Sequence, residues 1–305
     1  MQDLQQQIEQ YLLSCRYQKG LNIKTLKAYR IDLQQFAAFT KSNQLELKRE
    51  HILQYISNLQ ETYRSRTVRR KIASVKAFCN YLEYEQIIVE SPFTRLRLKL
   101  NAPLILPRTI PLSAIEAVLA AAYRQKTSDQ SEQQRKISLR DIAVLELLFA
   151  TGIRVSELCS LKPDDIRLDE GEIKIYGKGA KERFVQLTNP AVIQVIDDYQ
   201  QANETAIRQS NAFFVNRLQR PLTDQSVRGI IRKYERLAEV NLHITPHMFR
   251  HSFATLLLEA DVDIRYIQGL LGHSSVVTTQ IYTHIAGKKQ RDILSTKHPR
   301  NQMRF

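Results

Sequence analysis

Apolar positions in the first hundred residues recur at helical spacing. Leu26, Tyr29, Leu33 and Phe36 fall three or four apart, and Asn22 stands where it can cap a helix ahead of them. From about Ser65 to Glu83, Val68, Ile72, Val75, Cys79 and Leu82 share one narrow stripe at roughly 100° per residue. Prolines then break the pattern. Ser91-Pro92 ends the helical stretch, and Pro103, Pro107 and Pro111 cannot sit inside a helix, so 99–111 reads as an extended basic linker.

Beyond the linker, Ser113 is the expected cap of a helix from Ala114 to Tyr123, and the polar run Gln125 to Lys136 reads as a surface loop. Leu139 to Ala150 is strongly apolar and stops at Thr151-Gly152, since glycine accepts the left-handed conformation that ends helices. A short helix follows from about Val155 to Leu161. The period then changes from helical to alternating. Ile173 and Ile175 alternate with Lys174 and Tyr176, Gly177-Lys178-Gly179-Ala180 reads as a turn, and Val185 and Leu187 alternate on the return. That pattern predicts a β-hairpin with a lysine at its tip. The fold class is therefore mainly α: a helical N-terminal domain over 1–98, the linker over 99–111, and a mostly helical domain over 112–305 with a small antiparallel β-sheet.

Charge narrows the partner. Lys and Arg outnumber Asp and Glu 45 to 31, giving a net charge of +14 and a pI near 9.7. A folded protein this basic usually meets a polyanion, because neutralising phosphates releases condensed counterions; a ribosome-associated or simply soluble basic protein is the alternative that charge alone leaves. Arg66, Arg69, Arg70 and Lys76 lie nearly opposite the apolar stripe of their helix, with no acid among them, and form a candidate DNA-binding face. Cys15, Cys79 and Cys159 are scattered without metal-ligand spacing and read as reduced, partly buried residues. No apolar run reaches membrane-span length and the N-terminus lacks a secretion signal, so a cytoplasmic protein is expected.

Candidate chemistry concentrates between His243 and His284. Thr245-Pro246 is a helix start, and His247 and Arg250 share a face within its first turn, where the helix N-terminus adds partial positive charge. Another helix from about Ile264 to Leu271 ends at Gly272, with His273 next and Tyr282 nine positions on. An imidazole, a guanidinium and free backbone donors suit a phosphoryl group. His247 and His251 have metal-site spacing, but Met248 stands where a zinc protease needs its glutamate. The turn at Gly177 lacks the Ser or Thr of a nucleotide phosphate loop, and Asp164, Asp165 and Asp169 read as caps in a turn. No metal and no cofactor are expected.

Four further segments tie these residues together: Thr151-Gly-Ile-Arg-Val-Ser-Glu-Leu158, Gly177-Lys-Gly-Ala-Lys-Glu-Arg183, Pro246-His-Met-Phe-Arg-His-Ser-Phe-Ala-Thr255, and Leu270-Leu-Gly-His-Ser-Ser275 with Tyr282-Thr-His284. In order and spacing they resemble the tyrosine recombinase (phage integrase) family. Thr25 to Leu33 resembles that family's helical core-binding domain, so the likeness covers nearly the whole chain. His298-Pro299-Arg300 resembles the Xer subgroup, which resolves circular chromosome dimers.

The resemblance implies site-specific cutting and rejoining of double-stranded DNA. Tyr282 would be the nucleophile, forming a 3′-phosphotyrosyl bond; Arg154 and Arg250 would clamp the non-bridging oxygens, with a hydrogen bond from His273. Lys178 would protonate the departing 5′ oxygen, and His247 would assist proton transfer. It also implies a homo- or hetero-tetramer on two DNA sites, a sister recombinase among the candidate partners. Each protomer would pass about Ala286 to Phe305 to a neighbour, with Ile293 and Leu294 filling an apolar pocket there. Alternatives are an integrase of a mobile element, a type IB topoisomerase, a metal-dependent nuclease and a non-catalytic DNA-binding regulator. The last has no use for Lys178, His273 and Tyr282 together.

Overall fold

A computed structural model of the chain describes residues 4–44, 46–94, 96, 108–177, 182–260, 262–272, 291 and 293–303. The chain divides into two compact units, Met1–Ile105 and Leu106–Phe305.

Four helices build the first unit: α1 (Leu4–Tyr17), α2 (Ile23–Ser42), α3 (Arg49–Thr62) and α4 (Ser65–Tyr84). Asn22 caps α2 as its chemistry predicts, its side-chain oxygen accepting the Thr25 N–H at 2.9 Å. The stripe on α4 faces inward throughout: Val68, Ile72, Val75, Cys79 and Leu82 are all buried, packed with Tyr11, Leu33, Phe36 and Tyr55. One buried carboxylate organises the polar part of this core. Asp32 accepts from Ser74 Oγ at 2.9 Å and from the equally buried Lys71 ammonium at 3.2 Å. Without those partners a charge at that depth would be strongly destabilising.

In the second unit α5 spans Leu112–Ser128 and α6 spans Glu132–Thr151. Two expectations are corrected here. The first turn of α5 begins at Leu112, with Pro111 rather than Ser113 at its head; the Pro111 carbonyl accepts from Ala114 and Ile115. Proline loses nothing in that place, because the first helical N–H groups have no partners within the helix anyway. The expected polar loop over 125–136 is mostly helix, reduced to the break between Ser128 and Glu132. Ser131 restarts the chain by accepting the Gln134 N–H.

From Asp141 to Thr151, α6 is buried on every side, which makes it the central post of the unit. Its two buried acids are both paired. Asp141 accepts from Arg140, Lys233 and the Tyr234 hydroxyl, and Glu146 from Arg300 and the Tyr123 hydroxyl. Gly152 ends α6 at φ +59°, and a Cβ there would fall 2.7 Å from the Phe253 ring. Both conformation and space demand glycine.

A short α7 (Val155–Cys159) and a one-turn 3-10 helix (Pro163–Asp165) lead into the sheet. The hairpin is β2 (Glu172–Tyr176) and β3 (Glu182–Gln186), antiparallel, with Ile173 opposite Val185 and Ile175 opposite Arg183. A two-residue strand β1 (Ile166–Arg167) adds an outer edge beside β2, too short to show a period in the sequence. Then come α8 (Pro190–Ser210), α9 (Asp224–Leu237), α10 (Pro246–Glu259) and α11 (Ile264–Leu271). Thr245 caps α10 and Gly272 ends α11 at φ +62°, both as expected.

The described part of the C-terminal segment packs within its own unit. Leu294 is buried in this chain's own cluster with Phe253, Leu257, Val262, Ile267, Leu270 and Leu271, and Ile293 packs against it. Farther on, the Arg300 guanidinium reaches Glu146 at 2.8 Å, both nearly inaccessible. His298 lies edge-on to Phe149, and its Nδ1 accepts the Arg300 N–H at 2.9 Å.

Burial, joined by the nearby Arg300 charge and opposed only by backbone hydrogen bonds, holds the His298 pKa down to about 4. The unfolded chain takes up that proton near pH 6.5 while the folded chain does not. Stability should therefore fall by about 3 kcal/mol as the pH drops from 6.5 to 4. In His298→Gln, which cannot titrate, urea denaturation across that range should show this component gone.

Candidate active site

Three helix ends meet where α6 and α11 stop and α7 begins. Arg154 stands at the head of α7, two residues past the glycine that ends α6. The Glu157 carboxylate reaches back over that turn, accepting the Arg154 backbone N–H at 3.0 Å and its guanidinium at 2.7 Å. The Arg154 side chain also points toward the Gly272 carbonyl at 3.4 Å.

Arg250 is the fifth residue of α10, just past the first turn expected for it, and is buried. Its guanidinium donates to the Gly152 carbonyl at 2.8 Å and to the Leu271 carbonyl at 2.5 Å. Those carbonyls belong to the C-terminal ends of α6 and α11, where unsatisfied acceptors and partial negative charge collect. A cation is tolerated there without a full countercharge of its own. Burial first, then the charges of Arg154 and Arg183 opposed by Glu157, lower the Arg250 pKa to about 10. It remains protonated at neutral pH.

A third guanidinium joins them from the sheet. Arg183 of β3 grips Glu157 with both terminal nitrogens, at 3.0 and 2.7 Å. Burial alone would raise the Glu157 pKa, but the hydrogen bonds and charges of Arg183 and Arg154 hold it below the ordinary carboxylate value. Three arginines around one carboxylate leave this cluster with surplus positive charge. An oxyanion of a phosphate is the chemical complement of such a cluster.

The sequence-predicted residues divide as follows. Arg154 and Arg250 are brought together. His247 is exposed on the first turn of α10, and His251 one turn on has its pKa lowered by burial, by His247 and by Arg250. Among the described residues no group of His, Cys, Asp and Glu could hold a metal ion. Lys178, His273 and Tyr282 lie outside the described residues. Glu157 and Arg183 were not singled out, although both stand in the quoted motifs; a glutamate three residues into a helix start was the available signal.

On α4, Arg66, Arg69 and Lys76 are exposed, with no carboxylate partner among the described residues. Arg70 is exposed on the same face, and its guanidinium also pairs with the buried Asp32 of α2. A second basic face was missed. On α9, Val227, Ile230, Ile231 and Tyr234 face the core, and Arg232 and Arg236 face out.

Residues 108–289 match the phage integrase family, and residues 8–86 match the phage integrase N-terminal SAM-like domain. A protein of Agathobacter rectalis named tyrosine recombinase is 50% identical, over 100% of both chains. The tyrosine recombinase XerD of Pseudomonas aeruginosa is 35% identical over 96% of this chain and 97% of its own. In fold the chain is similar to the XerH site-specific recombinase bound to palindromic difH substrate, with a TM-score of 0.71 at 22% identity, over 95% of this chain and 83% of that one. A lambda integrase tetramer bound to a Holliday junction gives 0.67 at 16% identity, over 91% and 80%.

A lysine at position 250 would keep the charge but could not span both helix-end carbonyls. Arg250→Lys should cost about 1–3 kcal/mol of stability, the penalty of leaving a buried acceptor unpaired. Urea unfolding midpoints at neutral pH would measure it.

Proposed function

The chain belongs to the phage integrase family, and we propose from that membership that it is a site-specific tyrosine recombinase with Tyr282 as nucleophile. The phenolic oxygen attacks the scissile phosphorus, a new P–O bond forms, and the bond to the 5′ oxygen breaks. A 3′-phosphotyrosyl link and a free 5′-hydroxyl result. Lys178 supplies the proton to the departing oxygen, and His247 assists removal of the proton from the tyrosine. Attack by a 5′-hydroxyl on the phosphotyrosine reverses the step, so strand exchange needs neither ATP nor metal.

The observation that carries this reading is the cluster of Arg154, Arg183 and Arg250 around Glu157. In phosphoryl transfer, charge gathers on equatorial oxygens in the transition state. Guanidinium donors held in place before the reaction stabilise it without reorganisation. Each of Arg154 and Arg250 should contribute about 10²–10³ in rate. His273 supplies a further hydrogen bond to the same phosphate.

The XerD relatives and the His298-Pro299-Arg300 segment support resolution of chromosome dimers as the biological task. Four protomers acting in the cytoplasm on two double-stranded DNA sites, alone or with a sister recombinase, would carry it out. Arg66, Arg69 and Lys76 follow the phosphate backbone, and Arg70 braces that face through Asp32. Among the described residues no helix is long and apolar enough to cross a membrane.

Trapping covalent adducts on genomic DNA and sequencing the attached ends gives both the site and the test. Wild type should yield adducts at one chromosomal locus, undiminished in chelator, and Tyr282→Phe should bind the recovered fragment yet yield none. Adducts confined to the ends of a mobile element would favour an integrase. Loss of cleavage in chelator, or adducts that persist in Tyr282→Phe, would contradict the mechanism.

A further inference from the structure

We propose that Arg183 is a positioning residue for the reaction: by occupying Glu157 it keeps the guanidinium of Arg154 available to the phosphate. The inference rests on the recombinase reading above and adds to it a role for a residue outside the set the family motifs mark as reactive.

Glu157 is fully committed. Each of its oxygens accepts two hydrogen bonds, one from each arginine: Oε1 from Arg154 Nη1 and Arg183 Nη1, Oε2 from the Arg154 backbone N–H and Arg183 Nη2. Arg154 therefore spends one guanidinium nitrogen on the carboxylate, while Arg183 spends two. A guanidinium and a carboxylate left to themselves pair fork to fork, with two parallel bonds. With Arg183 removed, Glu157 is free to take Arg154 in that way and withdraw it from the site.

Exposure separates the two arginines in the same sense. The Arg154 side chain is 34% accessible and that of Arg183 14%, with Glu157 beneath both at 6%. Arg154 is placed to meet a ligand, and Arg183 is placed to hold the carboxylate. The path of Arg183 is itself prepared. Its Cδ, Nη1 and Nε lie 2.9, 3.0 and 3.1 Å from where a Cβ on residue 272 would stand, so glycine at that position lets the side chain reach Glu157. Arg183 is anchored on β3 opposite Ile175, in the hairpin whose connecting segment carries Lys178.

An ordinary structural role is the competing explanation, with Arg183 simply fastening the hairpin to α7. Rescue tells them apart. In single-turnover adduct formation on the DNA fragment recovered by trapping, Arg183→Gln should be slower by about 100-fold, the cost of one misplaced phosphate donor. Adding Glu157→Gln removes the competitor for Arg154, and the double variant should regain about ten-fold or more over Arg183→Gln. A fastening role predicts the opposite, since the double variant has lost both halves of the tie.

Inorganic phosphate supplies a second readout that needs no DNA. The phosphate-dependent rise in melting temperature, against chloride at matched ionic strength, should shrink in Arg183→Gln and return in the double variant. If Arg183→Gln does not fold, Arg183→Lys is compared with and without Glu157→Gln in the same two assays. Recovery in the double variant supports the positioning role, and a double variant as impaired as the single one in both assays overturns it. Should wild type form no adduct while the phosphate pattern holds, the recombinase reading fails and the arrangement of Arg183, Glu157 and Arg154 stands as an anion site.

Discussion

Mutual repulsion among Arg154, Arg183 and Arg250 is the constraint around which the second unit is arranged. Two of these guanidinium groups share the Glu157 carboxylate, and the third and most buried, Arg250, is offset chiefly by backbone carbonyls at two helix ends. Like charges so close oppose folding, and their assembly has to be supported by the apolar packing around them. That support is α6, buried on all sides over its last three turns and packed against α5, α8 and α10. The site is thus a small electrostatic liability carried by a large hydrophobic core. A bound phosphate would relieve it.

Two left-handed glycines give the liability its geometry. Gly152 stops α6 so that its terminal carbonyl faces Arg250 and the chain turns into Arg154. Gly272 stops α11 so that Leu271 offers the second carbonyl and Arg183 can pass over the residue that follows. A side chain at either position would strain the backbone and collide with a neighbour the site depends on, Phe253 in one case and Arg183 in the other. The Arg300–Glu146 pair and the buried His298 hold residues 298–300 against the same post. The post therefore serves both the site and the tail that follows the Tyr282 segment.

Features written in local chemistry were legible in the sequence. The caps at Asn22 and Thr245, the stops at Gly152 and Gly272, the inward stripe of α4 and the alternating hairpin all depend on residues within a few positions of one another, and each is where the spacing puts it. Features that depend on distant partners were not. The tie from Arg70 to Asp32 spans 38 positions and that from Arg183 to Glu157 spans 26, so neither pairing showed in the local pattern. The groove that takes Leu294 was not legible because it exists only once α10 and α11 have packed. Polarity misled over 125–136, where exposed polar side chains belong to helix surfaces rather than to a loop. For the candidate site, motif spacing singled out Arg154 and Arg250, which the structure brings together, but not the carboxylate and the third arginine beside them.

The central claim is that this cluster is built to receive one phosphate. Tungstate, a tetrahedral oxyanion with strong anomalous scattering, reports directly on it when soaked into crystals of the full chain. The predicted result is a peak whose oxygens lie about 3 Å from the guanidinium groups of both Arg154 and Arg250. Tungstate on the exposed Arg66, Arg69 and Lys76 face, with that position empty at the same concentration, would contradict the account.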